Sequence, residues 1–386
     1  MAQREVQDGT SAKQSRFSPL TETLIRLGLA IGFLFLFLVG VKSLETGISA
    51  MGEGFVDSVF ASVSSPLAGL AAGILATVLV QSSSVSTSTI VGLVGSGVLP
   101  VSYAVPMVMG ANIGTTVTNT LASLGHLRQS AYFQRAFAAA TIHDYFNILA
   151  VLILLPLEVA FGLISRIADW ASDAVDGLLP AVDGSSPIKD AVKAPVSWFQ
   201  EAIEGFGFGG TMGPILLVLG LGLIFVSLWQ VTRNMKAVMS GRMENAINSI
   251  LSRGAGVSAM VAGLVMTVAV QSSSITTSIL VPLVAAGVLT LRNAFPVTLG
   301  ANLGTTVTAL LASVAAESSA ALTVALAHVT FNILGILIFY PIPAMREIPI
   351  WLAERTAEAA VKNKSLVLVY LVGLFIVVPL GILLIG

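Results

Sequence analysis

Cysteine is absent from the 386 residues, which excludes disulfides, thiolate metal sites and cysteine nucleophiles but fixes no compartment. Charge is scarce too. Asp, Glu, Lys and Arg make up 10% of the chain, where a soluble domain carries about 25%. The formal net charge of -1 offers no basic face for nucleic acid. Hydrophobic residues fill 55% of the sequence and mean hydropathy is +0.92, the composition of an integral membrane protein whose surroundings are a lipid bilayer. The first 20 residues are polar, carry Arg4, Lys13 and Arg16, and lack a cleavage pattern. They read as a cytoplasmic tail and not a signal peptide. No soluble domain of useful size is expected.

Against this apolar background Gln81-Ser82-Ser83-Ser84 recurs letter for letter as Gln271-Ser272-Ser273-Ser274. Each copy interrupts a stretch that otherwise reads as a membrane helix, where an unpaired polar group costs several kcal/mol. The offset of 190 extends further: Thr87-Ser88 matches Thr277-Ser278, Gly97-Val98-Leu99 matches Gly287-Val288-Leu289, and Pro106 matches Pro296. Gly110-Ala111-Asn112-Ile113-Gly114-Thr115-Thr116-Val117-Thr118 matches Gly300-Ala301-Asn302-Leu303-Gly304-Thr305-Thr306-Val307-Thr308. After a short slip, His143 and Phe146-Asn147 match His328 and Phe331-Asn332. The chain therefore contains two structural repeats.

Basic residues orient them. A span at 24–44 follows the basic tail and should run outward. Its mate at 213–233 ends in Arg233, Lys236, Arg242 and Arg253, and should run inward. The segment before it holds Asp169, Asp173, Asp176, Asp183, Asp190, Glu201 and Glu204, which fits the outside. The expected fold class is an all-α integral membrane protein with two inverted-topology repeats, each with a re-entrant broken-helix hairpin, plus an extra C-terminal span. Residues 66–80 reach only about 22 Å as a helix, short of a span, and pair with 85–99 as half-helices around the first Gln-Ser-Ser-Ser. A span at 103–124, bent around Gly110 to Gly114, and a long helix at 131–163 follow, with Arg128 and Arg135 at its cytoplasmic start. Repeat two maps onto 255–270, 275–290, 294–314 and 319–341. The expected division is a cytoplasmic tail 1–22, repeat one 23–165, an extracellular acidic loop 166–210, repeat two 211–342, and an amphipathic piece with a last span over 343–386. A cell inner (plasma) membrane location with a cytoplasmic N-terminus follows.

A break between half-helices exposes N–H groups at one end and C=O groups at another. The former suit an anion and the latter Na+. Serine hydroxyls serve either ligand. The expected anion contacts are Gln81, Ser82, Ser83, Ser84, Gln271, Ser272, Ser273 and Ser274. The expected Na+ contacts are Gln81, Ser83, Thr87, Asn112, Thr115 and Thr116, with Gln271, Ser273, Thr277, Asn302, Thr305 and Thr306. No arginine or lysine falls in these motifs, so a buried anion depends on co-bound cations, a physical basis for coupling. Within the Gly-Ala-Asn motif the threonines are better ligand candidates than the asparagines, which suit a kink. His143 and His328 read as proton relays or, preferably, as hydrogen-bonded ties between helices. Asp144, whose mate is Val329, reads as an ion ligand or a partner of Arg128 or Arg135. Glu158 and Arg166 are expected as solvated groups near the outer surface.

The two Gln-Ser-Ser-Ser blocks, the two Gly-Ala-Asn-x-Gly-Thr-Thr motifs and the stretch from Gln134-Arg135-Ala136-Phe137 to His143-Asp144-Tyr145-Phe146-Asn147 resemble the type II (solute carrier 34-like) sodium-dependent phosphate cotransporters. The resemblance covers 24 to 342. It implies inverted repeats, Na+ as coupling ion and inorganic phosphate as substrate. It also implies symport by alternating access, with a central site where the serine-rich blocks meet. Gln81, Ser82, Ser83, Gln271, Ser272 and Ser273 carry over as the principal phosphate and sodium contacts. The chain departs from animal members in its compact external loop without cysteines. Other small anions or H+ coupling fit the same site chemistry, and a passive anion channel is a lesser reading. An intramembrane hydrolase is disfavoured, because no Gly-x-Ser-x-Gly elbow is present and a catalytic pair has no reason to be duplicated.

Overall fold

A computed structural model describes residues 18–52, 54, 65–178, 187–253 and 256–385. The tail at 1–17 and Asp183 of the acidic loop lie outside the described residues. Every regular element described is helical, as hydrocarbon demands of a chain that must bond its backbone internally. Among the described residues six helices are long and apolar enough to cross a membrane: Pro19–Ser49, Ser130–Phe161, Gly209–Met239, Leu291–Ala316, Ser319–Phe339 and Ser365–Ile385. The chain is an all-helical, multi-pass membrane protein.

In chain order the α-helices are α1 (Pro19–Ser49), α2 (Pro66–Val80), α3 (Ser83–Gly95), α4 (Val101–Gly114), α5 (Val117–Ser123), α6 (Ser130–Phe161), α7 (Leu163–Leu178) and α8 (Pro187–Gly205). There follow α9 (Met212–Arg253), α10 (Val257–Val270), α11 (Ser273–Ala285), α12 (Leu291–Ala316), α13 (Ser319–Phe339), α14 (Pro343–Lys362) and α15 (Ser365–Val372). A π turn, Gly373–Val377, joins α15 to α16 (Val378–Ile385). Starts are set locally: Ser65, Ser82, Ser272, Thr290 and Ser318 each accept a backbone N–H as N-cap, and Pro66 occupies the first turn of α2.

Small residues bring the helices together, since lipid gives no hydrophobic drive for association and packing must supply it. Gly40 faces Gly220 and Ile224, while Gly47 faces Gly213 and Leu217. Numbers rise along α1 as they fall along α9, so the two helices run antiparallel. The pairs α2–α4 and α10–α12 are closer still. A Cβ on Gly73 would lie 1.9 Å from the Met107 carbonyl oxygen, and one on its repeat mate Gly263 would lie 2.1 Å from that of Val297. Gly110 and Gly300 meet the carbonyls of Leu70 and Met260 at 2.0 and 1.8 Å. Within each pair contacts advance together, Gly69 on Tyr103 and Gly73 on Met107, so α2 and α4 run parallel. Between the halves, Phe146 packs edge-on against Phe295 and Phe339, with ring centroids 6.1 and 6.0 Å apart.

Several elements differ from the sequence reading. The span at 103–124 is two helices, parted at Thr115-Thr116, whereas the same letters run unbroken through α12. Gly110 and Gly114 also carry the approach to α2, where a Cβ would lie 2.0 and 2.7 Å from the carbonyl oxygens of Leu70 and Ile74, and α4 ends at Gly114 itself, at the edge of the stretch expected to bend. The loop at 166–210 carries two helices, α7 and α8, and Lys193 of α8 binds Glu317 at 3.0 Å. Glu158 is not a solvated group: it is buried and accepts from the amides of Ile164 and Ser165 at 2.6 and 3.2 Å, closing the start of α7. Asp144 pairs with neither arginine; it accepts from Tyr370 at 2.7 Å and Thr120 at 3.3 Å.

The glycine contacts make a direct prediction. Gly300→Ala should cost about 1–3 kcal/mol through overpacking. Gly222→Ala, where a Cβ meets nothing within 4 Å, should be neutral or mildly stabilising. Thermal unfolding of the two variants in detergent measures the difference, and equal effects would remove the close-approach account.

Candidate functional site

Both helix breaks are built the same way. Gln81 ends α2 with φ 57° and ψ 26°, and Gln271 ends α10 with φ 57° and ψ 30°, the left-handed region that L-residues enter at a cost of roughly 1–2 kcal/mol. The amide side chain offsets that cost. Gln81 Nε2 donates to the Val78 carbonyl at 2.6 Å, and Gln271 Nε2 donates to the Val268 carbonyl at 2.7 Å. On the other side of each amide, Thr118 donates to Gln81 Oε1 at 3.2 Å, and Thr308 donates to Gln271 Oε1 at 2.8 Å.

The next residue then restarts the helix. Ser82 Oγ accepts from Val85 N, and Ser272 Oγ accepts from Ile275 N, at 3.3 and 3.4 Å. Such a cap satisfies one orphan amide and leaves those of the first-turn serines without intrahelical partners. Positive dipole ends therefore sit where α3 and α11 begin. The two breaks are close to each other: Ser84 Oγ donates to the Gln271 carbonyl at 3.4 Å, and Thr308 Oγ1 lies 3.5 Å from Ser84 Oγ. Asn119 Nδ2 donates to Thr277 Oγ1 at 2.7 Å, a further link from α5 to α11.

Between the breaks lies a cavity of about 250 Å³ lined by Gln81, Ser82, Gln271 and Ser272 and walled by Phe225, Leu228, Trp229 and Thr232 of α9. At about 30 Å³ of liquid volume per water, it is large enough for a small oxyanion with a few ions or waters. Among the described residues no cationic side chain lines it; Arg233 stacks on the Trp229 ring, 5.6 Å from its centroid. Gln81 is exposed and Gln271 is buried. Ser83, Ser84 and Ser273 are buried, and Ser274 is half-buried.

The other expected ligands stand further back. Thr87 and Thr277 donate to the carbonyls of Ser83 and Ser273, each at 2.8 Å. Thr115, Thr116, Thr305 and Thr306 donate to carbonyls of their own helices and do not line the cavity. Asn112 and Asn302 belong to a separate network that crosses the repeats. His143 Nε2 bonds Asn302 Oδ1 at 2.8 Å, and His328 Nε2 meets Asn112 Oδ1 at 3.4 Å. Asn302 Nδ2 donates to Asn147 Oδ1 at 2.7 Å, and Asn147 Nδ2 donates to the Asn112 carbonyl at 2.8 Å. Each histidine thus binds the asparagine of the other half, as expected of structural ties. The sequence reading passed over Thr118, Thr308, Asn119 and Asn147. The signal for Thr118 and Thr308 was their place in the duplicated motif.

The crossed network predicts energetic coupling. His143→Ala and Asn302→Ala should each destabilise the protein by about 1–3 kcal/mol, the cost of stranding a buried polar partner. The double variant should miss the additive sum by about 0.5–3 kcal/mol in thermal unfolding. Strict additivity would show that the pair carries no coupling.

Comparison with known proteins places this arrangement. The chain matches the Na+/Pi-cotransporter family over residues 36–165 and 217–340. It is 34% identical to sodium-dependent phosphate transport protein 2A of Rattus norvegicus over 98% of this chain and 70% of that one. It is 32% identical to sodium-dependent phosphate transport protein 2B of Homo sapiens over 92% of this chain and 64% of that one. No solved structure matches it. The duplicated breaks and the network that crosses the two halves are therefore features of a chain that belongs to the Na+/Pi-cotransporter family.

Proposed function

We propose that this protein is a secondary active transporter, and not an enzyme, that moves inorganic phosphate in symport with Na+. The observation that carries the reading is the single cavity onto which both Gln-Ser breaks open. Phosphate is held there by serine hydroxyls and by the N-terminal amides of α3 and α11. Na+ is held by hydroxyl and carbonyl oxygens at the helix ends that the breaks expose. Ser82, Ser83, Ser84, Ser272, Ser273 and Ser274 are the phosphate set with Gln81 and Gln271. Thr87, Thr277, Thr115, Thr116, Thr305 and Thr306 are the further oxygens for Na+, while Asn112 and Asn302 hold the two halves in register. Coupling has an electrostatic cause: a phosphate dianion in a cavity lined, among the described residues, by no cationic side chain is left uncompensated until Na+ arrives. Net positive charge moved inward gains about 2.3 kcal/mol per charge per 100 mV.

The halves form inverted repeats, residues 23–165 and 211–342, each with a re-entrant hairpin, α2–α3 and α10–α11. Three features support this. The repeat mates α1 and α9 run antiparallel. Each histidine pairs with the asparagine of the opposite half. Finally, α3 links two parallel helices, α2 and α4, and so must return on itself. With the basic end of α9 and the N-terminus cytoplasmic, the wall from Phe225 to Thr232 leads inward from the breaks. Alternating access then requires that the breaks meet the cytoplasm and the outer solution in turn.

Radiolabelled phosphate uptake into proteoliposomes tests the reading. Uptake should require an inward Na+ gradient, and uptake indifferent to Na+ ends the coupling proposal. Ser83→Ala or Ser273→Ala alone should lower apparent phosphate affinity roughly tenfold or more, the worth of a hydrogen bond to a charged group. Replacing all three serines of one block should abolish transport. Half the activity remaining would mean two independent sites.

A further inference from the structure

Gln134 and Arg135 are far along the chain from either break and line neither, although their stretch carries part of the family resemblance. Both line a second cavity of about 360 Å³, between the start of α6, the turn from α11 to α12, and the second half of α14. Thr290, Arg292, Glu354 and Glu358 complete its polar wall. Two of the four charged groups are already matched. Arg292 donates twice to Glu347, at 3.0 and 2.7 Å, and Glu358 accepts from Arg355 at 3.0 Å.

Arg135 and Glu354 are not matched. The Arg135 guanidinium lies over the Tyr132 ring, 5.5 Å from its centroid, and reaches within 3.4 Å of where a Cβ on Gly287 would be. Gly287 has φ +76°, so a side chain there is disfavoured by the backbone as well. Among the described residues no carboxylate forms an ion pair with Arg135. Glu354 is within electrostatic reach of Arg292 but bonds neither guanidinium. A cation and an anion thus face one cavity without closing on each other. That arrangement suits a ligand that carries the complementary pair of charges.

The cavity also sits where lipid headgroups would be. Trp351 of α14 is 54% exposed with Arg355 over its ring at 5.9 Å, and Tyr132 beside Arg135 is 41% exposed. Exposed aromatic rings beside basic side chains mark the interfacial layer of a bilayer. The start of α12, capped by Thr290, adds a helix N-terminus to the same wall.

We propose that this cavity binds the headgroup of phosphatidylethanolamine. Arg135 and the start of α12 take the phosphodiester, and Glu354 takes the primary ammonium. The site is separate from the transport cavity and does not rest on the transport reading. It should discriminate by charge and by hydrogen bonding. Phosphatidylglycerol offers the phosphodiester without a cation, and phosphatidylcholine offers a cation without N–H donors.

Delipidated protein, offered equal amounts of the three lipids in detergent, can be read by native mass spectrometry. The wild type should retain phosphatidylethanolamine over the other two by roughly tenfold, the worth of one charge-assisted hydrogen bond. Arg135→Gln should lower retention of phosphatidylethanolamine. Glu354→Gln should level the three lipids while phospholipid is still bound, and Glu354→Asp should keep the preference, which separates a lost charge from a lost fold. Equal retention by the wild type, or a preference that survives Glu354→Gln, overturns the proposal. Water-soluble O-phosphoethanolamine binding as tightly as the lipid would overturn it too, by making this a site for a small metabolite.

Discussion

Left-handed backbone at Gln81 and Gln271 is the constraint on which the remaining structure turns. A helix that stops in the middle of an apolar segment strands carbonyls and amides where water is excluded. Here the stop is tied off at both ends, by the glutamine amide on the last turn of one helix and by a serine cap on the first turn of the next. Only part of the polar backbone is satisfied in this way. Gln81, Ser82, Gln271 and Ser272 line a shared space, and the polarity left over at the breaks is what a ligand can use.

The surrounding packing serves this geometry. The carbonyl contacts of Gly73, Gly110, Gly263 and Gly300 hold α4 and α12 against the helices that end at the breaks. That proximity brings Thr118 and Thr308 onto the glutamine side chains. Further from the cavity, the crossed histidine–asparagine pairs fix one half against the other with neutral hydrogen bonds. A membrane protein can keep such pairs at less electrostatic cost than ion pairs. The charged contacts lie elsewhere, as in the Lys42, Glu45, Lys193 and Glu317 group.

Much of this was legible in the letters, because identity at a constant offset marks both the fold and the site. The breaks were placed at the Gln-Ser-Ser-Ser tetrapeptides, and they are tighter than expected: the helices restart at Ser83 and Ser273, two residues earlier than the sequence suggests. The interruption expected around Gly110 to Gly114 falls just after Gly114 in the first half and is missing from the second, where α12 runs through. Glycine signals either bending or close approach, and only the neighbouring helix tells which. Glu158 was misread because a carboxylate that caps a following helix looks, in sequence, like one in solvent. Asp144 found Tyr370, more than two hundred residues away, a pairing that no local pattern encodes. The break at Thr115-Thr116 and the unbroken α12 carry the same letters, so the cause of that asymmetry is tertiary.

The central claim is that two breaks make one site. Its most direct test is an experimental density map of the protein at saturating phosphate and Na+. The account predicts a single tetrahedral density in contact with both the Ser82–Ser84 and Ser272–Ser274 segments, with smaller ion densities beside it. A density touching one segment only, or one at each break, would contradict it.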